Sequence, residues 1–171
     1  MLSPIRYLLV KIEKNLIGAA GEHLVLSRLL SRGILAAQSP FNAFKADVLI
    51  NPSDGGKPFL IQVKTRLTYG KKLRSWLLSE KNERYADSNF YYCLVDLGLE
   101  DSKIYVVPSK KVVSILSESH KEWLSTPGKR GQARNDSTMR KLRLDYSKMT
   151  LKSAKGLWID KYLEKWDVFT K

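Results

Sequence analysis

The chain has 171 residues, of which 43% are hydrophobic, enough for one domain with a real core. Its formal net charge of +13 points to a polyanionic partner, with nucleic acid first, an anionic membrane second and no such partner third. One cysteine, Cys93, excludes an internal disulfide or a multi-cysteine zinc site, and two histidines, His23 and His120, exclude a histidine-rich metal centre. No apolar run nears the roughly 18 residues of a membrane span, and the run at 7–10 is too short for a signal peptide, so a cytoplasmic protein is expected.

Residues 1–13 read as a short helical extension, with Ser3 as N-cap, Pro4 in the first turn, and Leu8, Leu9 and Ile12 on one face. Residues 15–32 form the strongest helix, ended by Gly33. Ala19, Glu22, Leu26, Leu29 and Leu30 fall on one stripe, with Glu22 as its polar intruder. Glu22 either faces solvent at the edge of that stripe, pairs with an Arg or Lys, or serves a cation. The small run at 18–21 permits close approach of another element.

Residues 34–37 read as a first strand and 39–42 as a connector. Two apolar runs, 47–50 and 59–65, then flank a connector rich in Pro, Gly and Asp, which is the pattern of a β-hairpin. A turn centred between Asp54 and Gly55 opposes residues whose numbers add to 109, which sets Asp47 against Gln62. Such a pair has Cβ atoms roughly 5 Å apart. Gln62 and Lys64 share a face, because strand side chains alternate. From Lys64 to Arg74 the chain carries Lys64, Arg66, Lys71, Lys72 and Arg74, and no acid.

A strand at 73–78, a short helix at 79–86 and a turn at 87–89 are expected next. Residues 90–97 are almost continuously apolar, as in a strand buried on both faces, which makes Cys93 a core residue. Residues 104–107 form its hairpin neighbour, and a helix starts at 108–109 with Val112, Val113, Leu116 and His120 along one side. His120, near the end of that helix, reads as structural or as compensating the helix dipole. The segment 129–155 has nine basic residues against Asp136 and Asp145. Its first half reads as a flexible loop whose Lys129, Arg130, Gln132, Arg134, Arg140, Lys141 and Arg143 either reach phosphates or form a solvated charge run. Trp158, Tyr162, Trp166 and Phe169 read as the docking stripe of a C-terminal helix.

The misplaced polar residues suggest phosphodiester chemistry. Glu22 and Asp47 can supply negative oxygen ligands, Gln62 a neutral carbonyl, and Lys64 a group that orients or activates water. With so little Cys and His, an oxygen-held Mg²⁺ or Mn²⁺ is the expected ion.

Gly18-Ala19-Ala20-Gly21-Glu22, then Asp47, then Gln62-Val63-Lys64-Thr65 resembles the PD-(D/E)xK nuclease superfamily. The resemblance covers roughly residues 15–66 and implies a restriction-endonuclease-like α/β (α+β) core, a central mixed sheet flanked by helices. By position it implies Glu22 as the helix acid, Asp47 as the motif Asp, Gln62 in place of the usual second acid, and Lys64 as the motif lysine. It further implies Mg²⁺-dependent cleavage of double-stranded DNA. Ala46 stands where Pro is common, and Gln62 removes one negative charge from the site. A decayed nucleic-acid-binding module and an RNA-directed nuclease are the competing functions.

Arg66, Lys71, Lys72, Arg74, Lys129, Arg130, Gln132, Arg134 and Arg140 are the expected nucleic-acid contacts. Cutting both strands of a duplex favours a homodimer or higher oligomer. The expected organisation is one nuclease-like domain: a helical extension over 1–14, a core over 15–125, and a basic loop with C-terminal segment over 126–171.

Overall fold

The computed structural model describes residues 12–40, 45–68 and 75–170. The expected helix at 1–13 and the basic residues Lys71, Lys72 and Arg74 lie outside the described residues. The elements in chain order are α1 (Lys14–Leu30), β1 (Ala36–Gln38), β2 (Val48–Ile50), β3 (Phe59–Leu67), β4 (Ser75–Ser79), β5 (Phe90–Leu97), β6 (Lys103–Pro108), α2 (Ser109–Ser125) and β7 (Met139–Arg143). Short 3-10 turns follow β4 at Glu80–Arg84 and occupy Asp160–Tyr162 and Trp166–Phe169.

Five strands form a mixed sheet in the order β1-β2-β3-β5-β6, and β4 and β7 form a separate two-stranded ribbon. Only β3 and β5 run parallel, and the other neighbours are antiparallel. The expected α+β architecture, a central mixed sheet with helices, is therefore the one observed. β5 lies between β3 and β6, and its Tyr92, Cys93, Leu94 and Val95 are fully buried. Burial pushes the Cys93 thiol far above its ordinary pKa, as expected of a core thiol without chemistry.

α1 ends at a Schellman motif. Gly33 takes φ 73°, its N–H donates to the Leu30 carbonyl (2.9 Å), and the Ile34 N–H reaches back to Leu29 (3.1 Å). Its buried line is Gly21, Val25 and Leu29, spaced by four. This corrects the expected stripe: Glu22 and Leu26 lie on its flank and Leu30 is exposed. The helix is turned so that its glycine, the smallest residue available, meets the sheet.

The sheet separates two cores. On one side α1 packs on Val48, Ile50, Ile61, Val63, Cys93 and Val95, with Trp166 and Phe169 from the C-terminal end. On the other side lie Leu94, Val107, the α2 residues Val112, Ile115 and Leu116, and the inward face of the ribbon with Trp76 and Leu142. The four C-terminal aromatics do not form one helical stripe. Trp158 packs in the α2-side core and Trp166 and Phe169 in the α1-side core, because the chain crosses the sheet edge between them. It does so along β6, where the Glu164 N–H donates to the Ile104 carbonyl (2.9 Å), covering an edge that would otherwise be open. Among the described residues no helix is long and apolar enough to cross a membrane.

A Cβ built on Gly21 would lie 1.9 Å from Thr65 Oγ1 on β3. Gly21→Ala should therefore destabilise the fold by about 1–3 kcal/mol, despite a helix-propensity gain of about 1 kcal/mol. Adding Thr65→Ala should recover part of the loss in urea unfolding; a Gly21→Ala protein as stable as the parent would refute the contact.

Candidate functional site

The site follows from where β2 leaves β3. The paired residues of the two strands add to 109, as the turn arithmetic requires, from Ile50–Phe59 to Val48–Ile61. Among the described residues the ladder stops there, while β3 continues beside β5 as far as Leu67. Asp47 stands at this parting. Its backbone N–H donates to the Ile61 carbonyl (2.8 Å), and its carboxylate Oδ2 accepts the Val63 N–H (2.7 Å). The carboxylate thus takes the backbone donor that a further rung would have used. Such a charge-assisted bond satisfies a group that would be costly to leave unpaired.

Gln62 and Lys64 alternate with the α1-side residues Ile61 and Val63, and both are half-buried. The Gln62 Oε1 accepts a hydrogen bond from Asn82 Nδ2 (2.9 Å) in the 3-10 turn after β4. Asn82 was not among the residues singled out from the sequence. It is buried, its Oδ1 accepts from the Ser79 N–H (2.9 Å) and Oγ (3.1 Å), and its Nδ2 also donates to the Tyr92 hydroxyl (3.1 Å). With its oxygen committed to Ser79, Asn82 must turn its amide nitrogen to residue 62. Residue 62 must then present an acceptor, which either Gln or Glu can do. The signal was a Ser followed three residues later by an Asn at an element start, a capping pattern.

Glu22 lies half-buried on the flank of α1. Partial burial raises its carboxyl above the ordinary value, and the Asp47 carboxylate raises it further, while His23 and Lys64 act in the opposite sense. Among the described residues no salt bridge involves Glu22, Asp47 or Lys64. A half-buried carboxyl raised by burial and then by the Asp47 charge, with no ion pair to quench it, fits a hard divalent cation. Among the described residues no group of three His, Cys, Asp or Glu converges. A third protein donor would therefore be the Gln62 oxygen, which keeps a lone pair beside its bond to Asn82.

The expected nucleic-acid residues divide. Arg66 is buried in a paired hydrogen bond with Asp96, Nη2 to Oδ2 at 2.8 Å, and its guanidinium stacks 4.0 Å from the Trp76 ring centre. Arg140 is buried against Glu83 and the Ser137 carbonyl. Both expectations are corrected: these cations are consumed inside the protein, where a buried charge needs a partner. Lys129, Arg130 and Gln132 are exposed, with Gln132 Oε1 accepting the Arg130 N–H (3.0 Å). Arg134 is half-buried over Trp123, 4.8 Å from its ring centre. His120 stacks on the same Trp123 and bonds Asp136 at 2.6 Å, in keeping with a structural role.

No family model matches the chain, and no curated protein matches it. Among solved structures, the chain is similar to a bacterial homing endonuclease at 16% identity and a TM-score of 0.49, over 91% of this chain and 90% of that one.

A carboxyl with a raised pKa contributes stability that is present below its unfolded value and lost as pH rises through its folded value. The metal-free protein should therefore lose stability as pH climbs from 4.5, the ordinary value, through the raised Glu22 value. Glu22→Gln should remove that loss, so its melting temperature should gain on the parent toward neutral pH. Parallel pH profiles of the two proteins would count against the shared site.

Proposed function

We propose that the protein is a metal-dependent DNA endonuclease. What supports this reading is the Asp47 carboxylate held on the Val63 N–H of β3, together with a Glu22 carboxyl raised by burial and by the Asp47 charge and opposed by Lys64. Glu22, Asp47 and the Gln62 carbonyl would hold Mg²⁺ or Mn²⁺, which when bound lowers the pKa of water and neutralises phosphate charge. Asp47 is fixed by its bond to Val63, so its position needs no reorganisation during the reaction. Lys64 orients the attacking water and offers positive charge to the phosphate. The net charge of +13 supplies the long-range attraction for a duplex. A homodimer would bring two such sites to the two strands.

A second reading is a DNA-binding module that no longer cuts. It is favoured by Gln62, which brings no charge and already gives one lone pair to Asn82.

Plasmid cleavage with Mg²⁺ or Mn²⁺ separates the two. The parent should nick or linearise supercoiled DNA, Asp47→Ala should abolish cutting, and Lys64→Ala should slow it about 10²–10⁴-fold with binding retained. Gln62→Glu keeps the acceptor that Asn82 requires and should tighten the metal dependence. A parent chain that binds duplex DNA yet cuts under no divalent ion establishes the second reading.

Neutralising Lys129 and Arg130 together should lower the slope of log K against log salt by about 2, across all sequences alike. An unchanged slope would show those side chains to be merely solvated.

A further inference from the structure

The β4–β7 ribbon has two unlike faces. Trp76, Leu78, Arg140 and Leu142 point inward and are buried. Leu77, Met139, Lys141 and Arg143 point outward and are exposed. Lys141 stands opposite Leu77, Arg143 opposite Ser75, and Met139 opposite Ser79. Neither strand contains an acid. We propose that this outward face enters the major groove of duplex DNA and reads base edges, an inference that rests on the nuclease reading above.

The dimensions suit the task. Paired strands lie about 4.8 Å apart, and a major groove about 12 Å wide admits a two-stranded ribbon. Five residues span about 14 Å, some four base-pair steps. The chemistry suits it too. Arg and Lys donate to the acceptors of guanine, and the apolar Leu77 and Met139 match thymine methyl groups. An exposed leucine and methionine beside two cations make a poor solvent face but a good base-reading one.

The ribbon is also held rigidly. Trp76 Nε1–H donates to the Val95 carbonyl of the main sheet (3.0 Å), and Arg140 is bound to Glu83. From the ribbon's end, Ser79 binds Asn82 and Asn82 binds Gln62, both at 2.9 Å. This short relay ties the reading face to the cleavage site, so bases gripped by one set the phosphate presented to the other. The free edge of β7 is covered by side chains. Tyr146 Oη accepts the Arg143 N–H (3.0 Å) and donates to the Lys141 carbonyl (3.3 Å), and Trp158 donates to the Arg143 carbonyl (2.9 Å). Strand addition along β7 is thereby blocked, which leaves the outward face as the surface on offer on that side.

The test is selection of duplexes from a randomised library by the full chain, with Ca²⁺ replacing Mg²⁺, followed by titration at several salt concentrations. Lys141→Gln, Arg143→Gln and Leu77→Thr should each relax preference at one or two base pairs within a window of about four. Each of the two cation variants should weaken the selected site about 5- to 150-fold, leaving the salt slope nearly unchanged. Lys121→Gln, an exposed lysine on α2, should change nothing. Unchanged preference in all three ribbon variants, with binding and cleavage intact, overturns the proposal alone. So does a uniform loss on every sequence with a lower salt slope, which marks phosphate contacts. So does a change from dimer to monomer in sedimentation by Leu77→Thr with preference unaltered, which marks a contact between copies. A parent chain that binds no duplex overturns the nuclease reading as well.

Discussion

The carboxylate of Asp47 on the Val63 N–H is the contact on which the candidate site depends. A sheet strand that loses its neighbour exposes backbone donors, and a buried or half-buried donor must be answered. Here the answer is a charged side chain. The same bond therefore stands where, among the described residues, the β2–β3 ladder ends, and it answers the Val63 donor while fixing a carboxylate there. Glu22 lies on the flank of α1, and Gln62 and Lys64 lie on the face of β3 opposite Ile61 and Val63.

The approach of α1 depends on size. Gly21 lies directly over Thr65, so the helix sits closer than any side chain would allow. That closeness brings Glu22 within electrostatic range of Asp47 and Lys64. A larger residue at 21 would lift the helix and dilute that coupling. On the other face the ribbon leans on β5 through Trp76, and Arg66 fills the space between with its charge matched by Asp96. A charge at that depth is tolerable only with its partner in place, and removing one partner costs about 3–5 kcal/mol. The overall excess of cations therefore overstates what is available to a polyanion, since Arg66 and Arg140 are spent internally.

Asn82 bears on the weakest chemical feature of the site, the neutral Gln62. Its own bonds to Ser79 leave it only as a donor toward residue 62, so the amide oxygen is what residue 62 must direct there. The arrangement holds the side chain in one orientation, and it would suit a carboxylate equally well.

Much of this was legible in the sequence. The helix end at Gly33, the hairpin register, the apolar run of β5 and the core position of Cys93 all follow from period, turn chemistry and composition, which act between residues close in the chain. The register holds from Ile50–Phe59 to Val48–Ile61; the expected pair Asp47–Gln62 lies one step past the ladder's end, where Asp47 bonds Ile61 and Val63 instead. The basic segment before Lys155 misled, since its alternation over Met139–Arg143 was hidden by its charge; the strand shows only once β4 is there to pair with it. Which cations would be buried depended on Asp96 and Glu83, 30 and 57 residues away, and no local pattern reports such partners. The split of the C-terminal aromatics between two cores depended likewise on where the chain crosses β6. Local sequence thus determined the elements, their register and the residue types able to bind a cation. Tertiary structure decided where β2 parts from β3, which charges are consumed within and which face the solvent, because those outcomes are set by contacts between segments that only folding brings together.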